Sequence, residues 1–316
     1  MTPHQILKQL LELAERKTGY IDDHLLALEK LLDKLSPKLA DAIAAEVLSN
    51  LDVKDGIIQP TISNQNKVLA IDSVFNSFMK DEGLKVMTVI ANDLMKISSL
   101  NEKYFKELSG EKIDNKKIND VILNRLGMKE DGTLKRDGFM KGLFENAETK
   151  KAITDFAMEK VTNGTGFEDL RTGLKELITG DDKKMGKFKQ YYRNAAYDTY
   201  VKIDALNGKL YGDKLGLNYF IYAGTRRKTS RHFCIERKGK VFSREEAEKW
   251  HELIGAVTVS NKGKVVPAGP ILLTEDATTY NPFIDRGGYG CVGDIMWIGD
   301  EVAFSMRPEL RETKTK

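Results

Sequence analysis

The residues with most capacity for chemistry are two cysteines, Cys234 and Cys291, and four histidines. Zinc takes four ligands, mostly Cys and His, in a tetrahedral shell. The candidates are His232, Cys234 and Cys291, with His251 or Asp294 as a fourth. Only Phe233 separates His232 from Cys234, closer than the usual ligand spacing of structural zinc sites. The favoured reading therefore has no metal. Both cysteines are small buried hydrophobes packed near each other, and zinc on His232, Cys234 and Cys291 is the alternative.

A Cys–His nucleophile needs a thiolate with a base in reach. Cys234 lies between Phe233 and Ile235, an apolar setting that raises a thiol's pKa. His251 is expected on the surface of the helix carrying Trp250. The chain contains no Gly-x-x-x-x-Gly-Lys-Ser/Thr, so the loop that cradles nucleotide phosphates is not supported. Gly287, Gly288 and Gly290 lack the following lysine and hydroxyl and are expected to supply positive φ in a tight turn. No complete catalytic set emerges, so the chain is not expected to be an enzyme.

Arg231 follows Thr229-Ser230. A guanidinium there can hold several backbone carbonyls or a carboxylate at once. It is expected to clasp its loop, with Asp285 or Asp294 as partner. Phosphate contact is the alternative, kept open by Arg226, Arg227 and Lys228 nearby. A second basic group, Lys183, Lys184, Lys187, Lys189 and Arg193, reads first as a solvated face and second as a contact for double-stranded DNA or an acidic partner. The formal net charge is only +3, from 50 basic and 47 acidic residues, so any DNA contact needs such a local face.

These residues sit on a chain predicted to be predominantly α, in an α+β class. Helical periodicity opens at Ile6, Leu7, Leu10, Leu11 and Ala14 and resumes over 23–51, with Pro37 expected to end or restart the helix. Residues 52–67 read as a linker, 68–108 as helical, and 109–140 as a polar stretch. Shorter helices are predicted at 146–160 and 167–178. The clearest helix spans about 185–210, with Phe188, Tyr192, Ala195, Thr199, Ile203, Leu206 and Leu210 on one face and Gly212 as its stop. Tyr219–Tyr222 then reads as a strand, and Lys240–Phe242 as another. Ser243 and Glu246 have capping-box spacing, ahead of an apolar face of Ala247, Trp250, Leu253 and Ile254. A hairpin is predicted over 256–266 and a last strand at 296–298. The expected division is a helical region, 1–182, a small α+β domain, 183–306, and a mobile tail, 307–316.

Hydrophobic residues make up 41% and charged residues 31% of the 316, enough for a folded chain of two domains. No run approaches the roughly 20 apolar residues of a spanning helix, and the first residues read as a helix rather than a signal peptide. Two cysteines make no disulfide framework. Synthesis in a reducing cytoplasm is expected.

Residues 191–298 resemble the C-terminal region of Mu-F-like phage minor head proteins. The resemblance rests on an ordered set. A helix rich in Arg, Asn, Ala and Tyr is Tyr191-Tyr192-Arg193-Asn194-Ala195-Ala196-Tyr197. The strand Tyr219–Tyr222 follows, then Ser230-Arg231-His232-Phe233-Cys234, Gly239-Lys240-Val241-Phe242, and Gly287-Gly288-Tyr289-Gly290-Cys291. Many relatives carry a Cys-x-x-Cys after the Ser-Arg and a His…Cys-Arg-Cys or Cys-Arg-His ending. This chain keeps only Cys234 and Cys291 of that pattern, so the family's fuller ligand set does not carry over. The resemblance implies a structural motif of Ser230, Arg231, His232, Cys234, Gly239, Gly287, Gly288 and Cys291. It also implies a virion component made in the host bacterial cytoplasm and placed inside the phage head. There it would meet portal and capsid or scaffold proteins, with double-stranded DNA and self-association as further contacts and no membrane. Some relatives append an effector domain to the head domain, which gives the alternative of a DNA-processing nuclease or toxin-like enzyme. The short stretch after the Mu-F-like region disfavours it.

Overall fold

The structure is a computed structural model and describes residues 2–110, 115–131, 133, 135, 138–224, 230–260, 263–272, 277–288, 291 and 293–313. It is predominantly helical, with small antiparallel sheets. In chain order come α1 (Pro3–Glu46), β1 (Val53–Lys54), β2 (Ile57–Ile58), α2 (Ile62–Val68), α3 (Ile71–Phe78), α4 (Leu84–Ser109), α5 (Lys116–Leu126) and α6 (Phe139–Glu145). Then come α7 (Ala147–Thr162), α8 (Phe167–Thr179), α9 (Lys187–Lys214), β3 (Tyr219–Gly224), α10 (His232–Arg237), β4 (Val241–Ser243) and α11 (Arg244–Glu248). The last elements are β5 (Val257–Val259), β6 (Val265–Pro267), β7 (Gly293–Ile298), α12 (Asp300–Met306) and α13 (Leu310–Thr313).

The chain does not divide near residue 182. One compact unit joins Met1–Tyr20, Leu94–Ile122 and Asp198–Lys316; the other joins Ile21–Asp93 and Leu123–Tyr197.

In the second of these, α1 runs on through Pro37. Proline removes one intrahelical hydrogen bond, but Leu28, Leu32, Leu35, Leu39 and Ile43 are buried at helical spacing on both sides of it and hold the helix together. The stretch expected as a linker is ordered by its own residues. Asp55 and Gly56 both have positive φ, as a two-residue hairpin turn requires, so β1 and β2 pair antiparallel. Asn64 is fully buried; its side chain accepts from the Asp52 N–H and donates to the Asp52 and Gln59 carbonyls at 2.8, 3.0 and 2.8 Å. The aromatic core places Phe188 edge-on to Phe75, Phe78 and Tyr192.

In the first unit, β3 is the centre of a three-stranded sheet ordered β4–β3–β7, with Phe220 opposite both Phe242 and Trp297. Its core residues Tyr219–Tyr222 are buried on both faces. On one face Phe220 meets Phe242, Trp250, Phe283 and Trp297; on the other, Tyr219 meets Phe304 of α12. The part of α9 in this unit buries Thr199, Tyr200, Ile203, Leu206 and Tyr211. Gly212 lies within that helix and does not end it. A Cβ there would lie 2.9 Å from the Trp297 ring, so glycine serves the close approach of helix to sheet. Part of the expected polar stretch is helical: α5 buries Ile118 and Ile122 in this unit. Of the expected tail, residues 307–313 are described and are anchored. Arg307 donates to both carboxylate oxygens of Glu246, at 2.8 and 2.7 Å, and Leu310 is buried. Ser243 and Glu246 form the capping box their spacing predicts, and β5 pairs with β6 as the expected hairpin.

Candidate functional site

Residues alternate across a strand, so Tyr222 lies on the same face of β3 as Phe220. Its ring packs on Phe233 and Trp250, and its hydroxyl reaches the sulfurs of Cys234 at 3.4 Å and Cys291 at 3.3 Å. Cys234 is carried by α10, which fully buried Phe233 fixes in place. Cys291 is carried by the turn before β7. The two sulfurs are 3.5 Å apart.

The turn needs both of its described glycines. Gly288 has φ +85, and a Cβ there would lie 1.9 Å from the Ile271 carbonyl oxygen. A Cβ on Gly287 would lie 2.6 Å from the Cys234 sulfur and 3.1 Å from that of Cys291. Gly287 is therefore a condition of the sulfur pair itself. Its carbonyl accepts from Arg231 Nη1 at 2.5 Å and from the Ile271 N–H at 3.1 Å. Arg231 does tie its segment to a backbone carbonyl, that of Gly287. Asp285 accepts the Asn281 N–H, and Asp294 is engaged by other cations.

The two thiols are electrostatically unequal. Against the opposing effect of burial, the contact with Cys234, the buried Arg286 guanidinium, the Tyr222 hydroxyl and the Gly293 N–H favour the anion and pull Cys291 down to about 5. Cys234 is pushed up by that same contact with Cys291 and then by burial. Cys291 is thus more than a passive hydrophobe. Arg286 is not among the residues singled out from the sequence, and its effect on Cys291 arises through the fold.

Arg286 also belongs to a buried ion cluster. Its Nη1 lies 3.8 Å from Asp294. Lys17 of α1 lies 3.0 Å from Asp204 of α9 and 3.3 Å from Asp294 of β7. Asn101 of α4 donates to Asp204 at 2.7 Å. Burial pulls Lys17 down, but its two carboxylates outweigh that and its net shift is upward. Burial pushes Asp204 up, in excess of the attraction to Lys17. Burial opposes Asp294 too, yet Lys17 and Arg286 together hold it below its usual range. Pairing of this kind is what makes buried charge tolerable.

Of the other predicted positions, His232 lies 3.4 Å from Glu236 on its own helix. Gly239 donates its N–H to the Tyr222 carbonyl at 2.8 Å, which closes the return from α10 to β3. Among the described residues no group of three or more His, Cys, Asp or Glu is arranged to hold a metal. In the basic group, Lys189 lies 2.8 Å from Asp33 and Arg193 lies 2.5 Å from Glu29, while Lys183, Lys184 and Lys187 are exposed. Arg226, Arg227, Lys228, Tyr289 and Gly290 lie outside the described residues. Among the described residues no helix is long and apolar enough to cross a membrane. Comparison with protein-family models, curated proteins and solved structures found no match to the chain.

Proposed function

We propose that this chain is a phage minor head protein, a structural virion component that works through contacts with portal and capsid or scaffold proteins. It assists head assembly, DNA packaging or delivery. One observation supports the reading: segments of the Mu-F-like pattern that are remote in sequence form one small module. Val241–Phe242 pairs with one edge of Tyr219–Tyr222, and Cys234 meets Cys291 across 57 positions. Arg231, Asp285 and Arg307 of that module each bond to its backbone or side chains, as suits a part whose task is to hold shape.

The basic group offers only a limited DNA contact. Lys189 and Arg193 already face carboxylates, which leaves Lys183, Lys184 and Lys187 as the cations to neutralise phosphates. Binding through so few contacts should be weak and fall steeply with salt. The test is quantitative mass spectrometry of purified virions and proheads of a phage that encodes the chain, with cross-linking to identify neighbours. Presence in either particle with links to portal or capsid subunits supports the proposal. Absence from both, together with measurable turnover on nucleic acid, overturns it in favour of a DNA-processing enzyme.

A further inference from the structure

We propose that Cys234 and Cys291 are a peroxide-driven, reversible disulfide pair that locks α10 to the turn entering β7. The proposal is independent of the virion reading and concerns what the sulfur pair does chemically. It rests first on geometry. The sulfurs are 3.5 Å apart, so bonding needs an approach of only about 1.5 Å to reach disulfide length. Gly287 leaves the space between and beside them clear, since any side chain there would contact both sulfurs. The Tyr222 hydroxyl is in hydrogen-bond range of both and can follow whichever sulfur carries charge.

The two sulfurs also divide the chemical roles. Cys291 is the sulfur that accepts a backbone N–H, from Gly293 at 3.3 Å, and it has Arg286 as a nearby buried cation, while Cys234 and the Tyr222 hydroxyl lie in hydrogen-bond range of it at 3.5 and 3.3 Å. Thiolates, not thiols, attack peroxides. Cys234 is half-buried whereas Cys291 is buried, so the pair admits a small oxidant past Cys234. The Cys291 thiolate attacks one oxygen of hydrogen peroxide. The O–O bond breaks, and hydroxide leaves and takes a proton to become water. Cys291 is now a sulfenic acid, oxidised by two electrons. The Cys234 sulfur then attacks the Cys291 sulfur. The S–O bond breaks, and its hydroxyl departs as water with the Cys234 proton. Two thiols and one peroxide give one disulfide and two waters, and an added dithiol reverses the change.

The full-length protein, purified under reducing conditions, is treated with hydrogen peroxide and mapped by differential alkylation. In wild type, Cys234 and Cys291 should lose reactivity together. A cross-linked peptide pair lighter by two hydrogens should appear, and dithiothreitol should restore both thiols. These wild-type measurements do not depend on any variant folding. In Cys234→Ser, the sulfenic acid should persist on Cys291 and be trapped by dimedone. Independent oxidation of the two sulfurs without a cross-link, a bond between chains only, or resistance of both thiols to peroxide would each overturn the proposal. So would one equivalent of zinc in the purified protein that shields the pair until chelated, which would make the sulfurs a metal clamp instead.

Discussion

Replacing Lys17 with Met tests the buried ion cluster most directly. Lys17 faces Asp204 at 3.0 Å and Asp294 at 3.3 Å. At an effective dielectric constant near 20, each such contact is worth about 5 kcal/mol of gross attraction. That gain is offset by several kcal/mol of desolvation for every buried ion. Met removes the cation and leaves two carboxylates with Arg286 as their remaining buried counter-charge. Breaking a buried pair in this way costs about 3–5 kcal/mol. The loss should depend on pH, in a direction the shifts define. Asp204 is already raised by burial, so its contribution is present below the ordinary carboxylate pKa and lost as pH rises through its folded value. Without Lys17 that folded value moves further up, and Asp294 loses one of the cations holding it down. The deficit of the variant should therefore deepen from pH 5 to pH 7. Both tryptophans, Trp250 and Trp297, are buried and belong to the same unit as the cluster, so their fluorescence during urea unfolding reads the relevant transition. Adding Asp204→Asn, which keeps an oxygen for Asn101, should recover at least about 1 kcal/mol. A loss below about 1 kcal/mol, or an equal loss at both pH values, would refute the reasoning.

Gly287→Ala should cost about 1–3 kcal/mol of stability through overpacking against the two sulfurs, read by the same unfolding assay; a neutral result would mean the turn yields freely. Asn64→Ala should cost about 1–3 kcal/mol, because it strands the Asp52 N–H, although the Asp52 and Gln59 carbonyls keep the Gln59 and Thr61 N–H donors; faster hydrogen exchange at the Asp52 amide would report it. Burial opposes ionisation of Glu246, but the bonds from Arg307 and the Ser243 N–H prevail and hold it low. Its stabilisation should thus be present above the ordinary Glu range and fade as pH falls through its folded value. Glu246→Gln should flatten that acid dependence and expose 307–313 to limited proteolysis, and an unchanged cleavage pattern would count against the Arg307 anchor.

Where a structural signal is local, it could be read from the sequence. The run Tyr219–Tyr222, the box of Ser243 and Glu246, the stripe on α9 and the hairpin of β5 and β6 each depend on neighbouring residues alone. The misreadings have physical causes. Asp55-Gly56 is the dipeptide a tight hairpin turn favours, but the flanking strands are two residues each and offer no alternation to detect. In α5, Ile118, Ile122 and Leu126 recur every fourth position among polar residues that dominate the composition. Gly212 has helix-stop chemistry, but a tryptophan 85 positions later decides its role. The sulfur pair was legible as two positions, and its polarity was not, because Arg286 and Tyr222 act on it through the fold. Lys17 has its partners Asp204 and Asp294 far away in sequence, and only the fold brings them to it.

That cluster explains how so small a sheet holds its register. Strands of three and six residues make a sheet that needs packing from other elements to persist. Apolar packing alone is permissive about a strand's position, and replacing buried ions by hydrophobic residues is often neutral or stabilising. Charge is less permissive. A slip of β7 by one residue would turn Asp294 to the opposite face and leave Lys17 and Arg286 without it. Each partner comes from a different element: Lys17 from α1, Asn101 from α4, Asp204 from α9, Asp294 from β7 and Arg286 from the turn before it. Arg286 adds the link to Cys291, so the geometry of the ion cluster and the reactivity of the sulfur pair depend on one guanidinium. The hypothesis that follows is that the cluster specifies register as well as stability. In Lys17→Met, hydrogen exchange at the amides of β7 should quicken more than at those of β4, which lies on the far side of β3. Uniform quickening across both edges would assign the cluster to stability alone.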